Sequence, residues 1–138
     1  MKRREPVSHI MTKQVIFINT TQTLKDAKDI MDQRHIRHVP VVSGDKVVGI
    51  ISKTDLQRLT VGTFYSNQQD ADNAMLDMFT LQDIMVKDPV VISSDTSIRE
   101  VAELFAASEF HAVPVVDNDV LVGMVSTTDV LKFLIEMY

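Results

Sequence analysis

Apolar and polar positions along this chain switch between a helical and a strand period, and each switch marks an element. Val7 to Met11 reads as a short amphipathic turn, and Val15-Ile16-Phe17-Ile18 as a β-branched strand. Thr23-Leu24-Lys25-Asp26 is a capping box, and Leu24, Ala27, Ile30 and Met31 then recur on one helical face. Val39–Val42 and Lys46–Ile51 read as strands joined by Ser43-Gly44-Asp45, a connector with turn chemistry. Apolar residues at consecutive strand positions predict burial on both faces. A further helix begins at Ser52 or Thr54.

The same order then recurs. Thr80-Leu81-Gln82-Asp83 caps a turn before Ile84-Met85, and Val90-Val91-Ile92 is a second short strand. Ser97-Ile98-Arg99-Glu100 opens a helix with Ile98, Val101, Ala102, Leu104 and Phe105 inward. Val113–Val116 and Val120–Val125 are strands joined by Asp117-Asn118-Asp119, and a helix starts at Ser126 or Thr128. Pro40 and Pro114, Gly49 and Gly123, and Asp55 and Asp129 are each 74 positions apart. The offset holds without a gap from Val7/Leu81 to Thr60/Leu134. Such an internal repeat sets the architecture. It predicts an α+β protein with one unit over 7–60, a linker over 61–79 and a second unit over 80–137. Each unit is strand, helix, strand, strand, helix, and alone would leave an apolar sheet face open. Two units packed sheet to sheet would cover it. Residues 61–73 read as polar linker, and 74–79 as a helical turn docking Met75 and Phe79.

Composition narrows the function. The chain has 138 residues, is 45% hydrophobic and 24% charged, and carries a formal net charge of -5. That is an ordinary globular balance and a poor one for a nucleic-acid backbone. Cysteine is absent, which excludes disulfide and thiol chemistry. The basic start, Met1-Lys2-Arg3-Arg4, is followed by no apolar run, and no segment is long enough to cross a membrane. The expected location is the cytoplasm. The chain also lacks His-x-x-x-His zinc spacing, and its four glycines form no phosphate loop, so no catalytic role is expected. The eight methionines read as core filler and not as metal ligands.

Two duplicated sites carry candidate chemistry. Ser52, Thr54 and Asp55, and again Ser126, Thr128 and Asp129, place hydroxyls and a carboxylate at a helix start. Such a group can accept hydrogen bonds from a ribose diol, beside N–H groups that favour phosphate. Ser-x-x-Asp is equally a capping box that needs no ligand, and spacing alone leaves both readings open. Arg37-His38 and His111 stand at the entrances of the proline-containing strands. There they could offer cations to phosphate, or form a solvated basic face.

In its duplicated Ile-Met, apolar-Pro-Val-Val and Gly-apolar-apolar-Ser-x-Thr-Asp segments, the chain resembles the CBS domain pair, over nearly all of residues 7–137. The resemblance implies two βαββα units packed pseudo-two-fold through their sheets, a Bateman module. It also implies regulatory binding of adenine nucleotides (AMP, ADP or ATP) or S-adenosylmethionine in two clefts, with no catalytic cofactor. By resemblance Asp55 and Asp129 contact ribose, and Arg37, His38 and His111 contact phosphate. The base slots are Ile16, Ile36 and Met124 in one cleft and Val90, Phe110 and Ile50 in the other. Lys53 is replaced by Thr127 in the second copy, so the cleft relying on Arg37, His38 and Lys53 should favour more phosphate charge. Two rival readings are an interaction module with vestigial clefts and a divalent-cation sensor built on Asp45, Asp117 and Asp119.

The last helix predicts assembly. Val130, Leu134 and Met137 share one face, with Leu131, Ile135 and Tyr138 on the adjoining one. Only Lys132 and Glu136 are charged beyond its first turn. A helix apolar round most of its girth needs cover on more than one side, which points to a homodimer joined through these helices. The alternative is burial within the chain under Met75, Met78 and Phe79. The repeats fill the chain, which implies a stand-alone module acting on a separate effector protein.

Overall fold

The computed structural model describes residues 4–60 and 68–138, with the backbone alone at 60 and 68–72. Residues 61–67 of the expected linker lie outside the described residues. The chain forms two compact units, and they are not the two repeats. One is Ile16–Pro89; the other joins Val90–Tyr138 to the N-terminal segment up to Val15. The opening segment of each repeat is therefore built into the unit of the other repeat.

In the Ile16–Pro89 unit, a four-stranded sheet has the order β1 (Ile18–Asn19), β2 (His38–Ser43), β3 (Lys46–Ser52), β4 (Val86–Lys87). β1 runs parallel to β2, and the other neighbours are antiparallel. Helix α1 (Leu24–Arg34) connects the parallel pair. It starts where the sequence predicts: Thr23 and Asp26 cap each other's N–H groups at 3.1 and 3.0 Å. It ends on His35, whose φ of 55° is the left-handed C-cap conformation. α2 (Lys53–Thr60), α3 (Gln68–Asp77) and the single turn α4 (Leu81–Ile84) complete the unit. Leu24, Ala27 and Met31 of α1 close over Val39, Val41 and Ile51 of the sheet.

The second unit repeats the plan with less regular pairing. β5 (Ala112–Asp117) and β6 (Val120–Ser126) form an antiparallel ribbon. Its turn residues Asn118 and Asp119 both have positive φ, as a type I′ hairpin turn requires. Ile92 bridges Val115 in parallel, as Ile18 does Val41. Thr12 bridges Met124, as Val86 does Ile50. Helix α5 (Ile98–Ala106) buries Ile98, Val101 and Phe105 against Val113, Val115 and Val125. Helix α6 (Thr127–Glu136) ends the unit.

Two expectations change, and one alternative is set aside. The strands expected at 15–18 and 90–92 shrink to β1 and to the single bridge at Ile92. β1 ends because the chain turns at once toward the cap of α1, with the Gln22 N–H donating to the Asn19 carbonyl at 2.9 Å. The expected linker contains α3, and its buried anchor is Leu76, while Phe79 is exposed and Met75 half-buried. α6 has no buried residue: Leu131, Leu134, Ile135, Met137 and Tyr138 are all exposed, and so are Met78 and Phe79. Burial of this helix within the chain is therefore not what occurs among the described residues.

Candidate ligand-binding site

Both helix starts are capping boxes. The Ser52 N–H donates to Asp55 Oδ2 at 2.9 Å, and the Asp55 N–H donates back to Ser52 Oγ at 3.1 Å. Ser126 and Asp129 make the same pair at 2.9 and 3.2 Å. The cap accounts for the Ser-x-x-Asp spacing, yet it does not exhaust the carboxylate. A carboxylate has about four lone-pair positions, and the cap uses one. Oδ1 of Asp129 takes no partner among the described residues. Oδ1 of Asp55 is 3.9 Å from the exposed guanidinium of Arg58, a weak contact. Both aspartates are half-buried, so the spare oxygen is held in place by a cap that is already made. Helix cap and ligand contact are compatible roles for one side chain.

The strand entrances are tied to these helix starts. The Lys53 N–H donates to the Arg37 carbonyl at 2.8 Å, and the Thr127 N–H to the His111 carbonyl at 2.9 Å. His38 pairs with Ser52 in the sheet register, and Ala112 with Ser126. In each unit the fold thus brings the basic strand entrance beside the Ser/Asp helix start. Arg37 and His111 are exposed and His38 is half-buried. Thr54 and Thr128 are exposed one residue before each aspartate.

The apolar candidates divide. Ile50 and Met124 are half-buried and sit opposite Pro40 and Pro114 in the register. Ile36 packs against the core of its unit, and so does Phe110, edge-on to Phe105 with ring centroids 6.3 Å apart. Ile16 is half-buried and Val90 exposed. Lys53 is half-buried and lines a groove with Lys28, Asp32 and Gln57, among α1, α2 and α3.

Two positions have a place at the site that the sequence reading did not assign. Thr12 brackets the backbone of Met124, donating to its carbonyl at 2.8 Å and accepting from its N–H at 3.0 Å. Val86 pairs with Ile50 in the equivalent position. The signal was present, since Thr12 and Val86 are one repeat apart and each follows an Ile-Met pair. The aspartates of the cation-sensor reading form no metal-ligand group among the described residues. Asp117 is instead structural: hydrogen bonds from the Ser94 side chain and N–H, the latter at 3.0 Å, hold its carboxyl below the usual range.

The family model of the CBS domain matches residues 7–62 and 81–136. The chain belongs to the CBS-domain family. Two CBS repeats in one chain make a Bateman module. Protein MJ1225 of Methanocaldococcus jannaschii is 28% identical over 131 residues, 94% of this chain but 47% of that protein. Its crystal structure matches with a TM-score of 0.81 over 97% of this CBS chain and 49% of that one. CBSX2 of Arabidopsis thaliana, solved in complex with AMP, is 20% identical with a TM-score of 0.79, covering 96% of this chain and 98% of that one. The CBS domain pair of protein MJ0100, solved with 5′-methylthioadenosine and S-adenosyl-L-methionine, is 23% identical with a TM-score of 0.81, again over 96% and 98%. At those two identities the likeness is one of fold. Some relatives are much longer: the chain spans 24% of a homoserine O-acetyltransferase of Methanohalobium evestigatum. No helix among the described residues is long and apolar enough to cross a membrane.

Proposed function

We propose that this CBS pair is a regulatory module that binds an adenosyl ligand at its two Ser-x-Thr-Asp helix starts and passes its occupancy to a partner protein. The observation that carries the reading is the spare Oδ1 of Asp129 and Asp55 on a carboxylate locked by its cap. A preorganised acceptor of this kind suits a ribose diol. Ser52, Thr54, Ser126 and Thr128 add hydroxyls, and Arg37, His38 and His111 supply charge for phosphate. Ile16, Ile36, Ile50, Val90, Phe110 and Met124 supply apolar surface for the base. The adenosyl ligands of CBSX2 and of the MJ0100 pair support the ligand class. In this reading the ligand is a signal and is not turned over, so the module itself is no enzyme. The protein works in the cytoplasm, as a dimer joined through the exposed apolar face of α6.

Thermal shift with AMP, ADP, ATP, S-adenosylmethionine and Mg²⁺ separately tests it. A ligand selective for the folded state raises stability by ~2.7 kcal/mol at a hundred times its Kd. At least one adenosyl ligand should raise the melting temperature by several degrees, and Mg²⁺ alone should not. No shift with any adenosyl ligand would leave an interaction module with vestigial clefts, a reading that the exposed α6 also fits.

A further inference from the structure

The nucleotide reading leaves one cavity unused. It lies among α1, α2 and α3 and measures about 210 Å³. Its floor is apolar, made by the buried side chains of Met31, Leu56 and Leu76. Its rim is polar, with Lys28, Asp32, Lys53 and Gln57. Lys28 is already neutralised by Asp32 at 3.1 Å on the same helix. Lys53 is not: no ion pair or hydrogen bond engages its ammonium among the described residues. Among the described residues the rim therefore carries one uncompensated positive charge above an apolar floor. A neutral apolar guest would leave that charge unused, and a dianion would face Asp32 without a second free cation among the described residues.

We propose that this groove is a second ligand site, selective for a small amphipathic monoanion such as a short-chain aliphatic carboxylate. The carboxylate pairs with Lys53, and the chain lies on Met31, Leu56 and Leu76. The volume is below the ~300 Å³ at which drug-sized sites begin, so the guest is a fragment and not a nucleotide. Occupancy would brace α3, which stands in the stretch between the two repeats, against α1 and α2. The proposal does not rest on the nucleotide reading.

The test is a titration of the full chain with hexanoate, followed by backbone amide shifts, with 1-hexanol as the uncharged match. Saturable millimolar shifts are expected at Lys28, Met31, Lys53, Gln57 and Leu76, with hexanol about tenfold weaker. Lys53→Met keeps the aliphatic stem and a good helix former, and should reduce hexanoate to the hexanol level. AMP should leave the hexanoate shifts in place. Equal response to both probes, unchanged hexanoate affinity in Lys53→Met, or no saturable shift in the groove would overturn the proposal. Displacement by AMP would also overturn it, because the groove would then belong to the nucleotide site.

Discussion

The two units start from the same repeat and end with different surfaces. In the Ile16–Pro89 unit the helix after the hairpin, α2, has Leu56 buried and is covered by α3 through Leu76. In the other unit the equivalent helix, α6, has no such cover among the described residues. Leu131 and Ile135 are 56% and 70% exposed. The positions differ in sequence as well: Gln57 and Arg58 of α2 stand where α6 has Leu131 and Lys132. One unit has covered this helix with its own chain, and the other leaves an apolar face exposed among the described residues. The basic entrances differ in the same way. Arg37-His38 face one helix start, while His111-Ala112 face the other. The two repeats share a scaffold and differ at these surface positions.

Leu76→Ala should have the largest effect on the difference between the units. Removing a buried leucine costs about 2–5 kcal/mol, and here the loss falls on the unit that α3 covers. Chemical denaturation should show that loss. A change under ~1 kcal/mol would mean that α3 does not seal its unit.

Gly49 and Gly123 come next in expected effect. A Cβ at Gly49 would come 2.3 Å from Met85 Sδ, and one at Gly123 would come 2.5 Å from Met11 Sδ and 3.0 Å from the Thr12 carbonyl oxygen. Gly49→Ala and Gly123→Ala should each cost about 1–3 kcal/mol. Shortening the clashing methionine should rescue the two unequally. Met85→Ala removes the three nearest contacts at Gly49, whereas Met11→Ala leaves the Thr12 carbonyl, which is bonded to the Met124 N–H at 3.0 Å. Equal rescue, measured by thermal unfolding, would show that the backbone at Thr12 yields.

These contacts also mark where the sequence ceased to be legible. The helix caps at Thr23, Thr80, Ser97 and Ser126 were readable because a cap is local, completed within four residues. The inward faces of α1 and α5 were readable because helical period is local too. The exchange of Val7–Thr12 and Leu81–Lys87 between units was not, because strand pairing with Met124 and Ile50 is decided by tertiary register. The docking of α3 through Leu76 instead of Phe79 is of the same kind. At the site, residue types and spacing pointed to Ser52, Asp55, Ser126 and Asp129. Lys53, by contrast, lies on the helix face beside Leu56 and Gln57, three and four residues on, and so lines the α1–α3 groove.

The apolar face of α6 gives a smaller effect on stability and a large one on assembly. Light scattering should give a mass near twice 15.6 kDa. Leu134→Glu, at an exposed position, should change monomer stability by no more than ~0.5 kcal/mol while halving that mass. A wild-type mass of 15.6 kDa would remove the dimer.

The weakest contrast is electrostatic. Asp83 is held below its ordinary pKa by the Thr80 N–H and hydroxyl, and Asp117 by Ser94. A carboxylate depressed in the folded state adds stability above its unfolded pKa, and loses it as pH falls through the folded value. Melting temperature should therefore be level from neutral pH down to the usual carboxylate range and decline below it. Asp83→Asn and Asp117→Asn should each flatten that acid limb slightly.

In the proposed function the aspartates that cap α2 and α6 also hold a ligand. Calorimetric titration of the wild type, Asp55→Ala and Asp129→Ala with AMP and ADP tests it most directly. Each substitution should cost about 1 kcal/mol of stability as a lost cap. Beyond that, each should abolish or weaken one binding event, and the event that survives in Asp129→Ala should prefer ADP to AMP. Full affinity for both nucleotides in both variants, alongside the same loss of stability, would make Asp55 and Asp129 helix caps and nothing more.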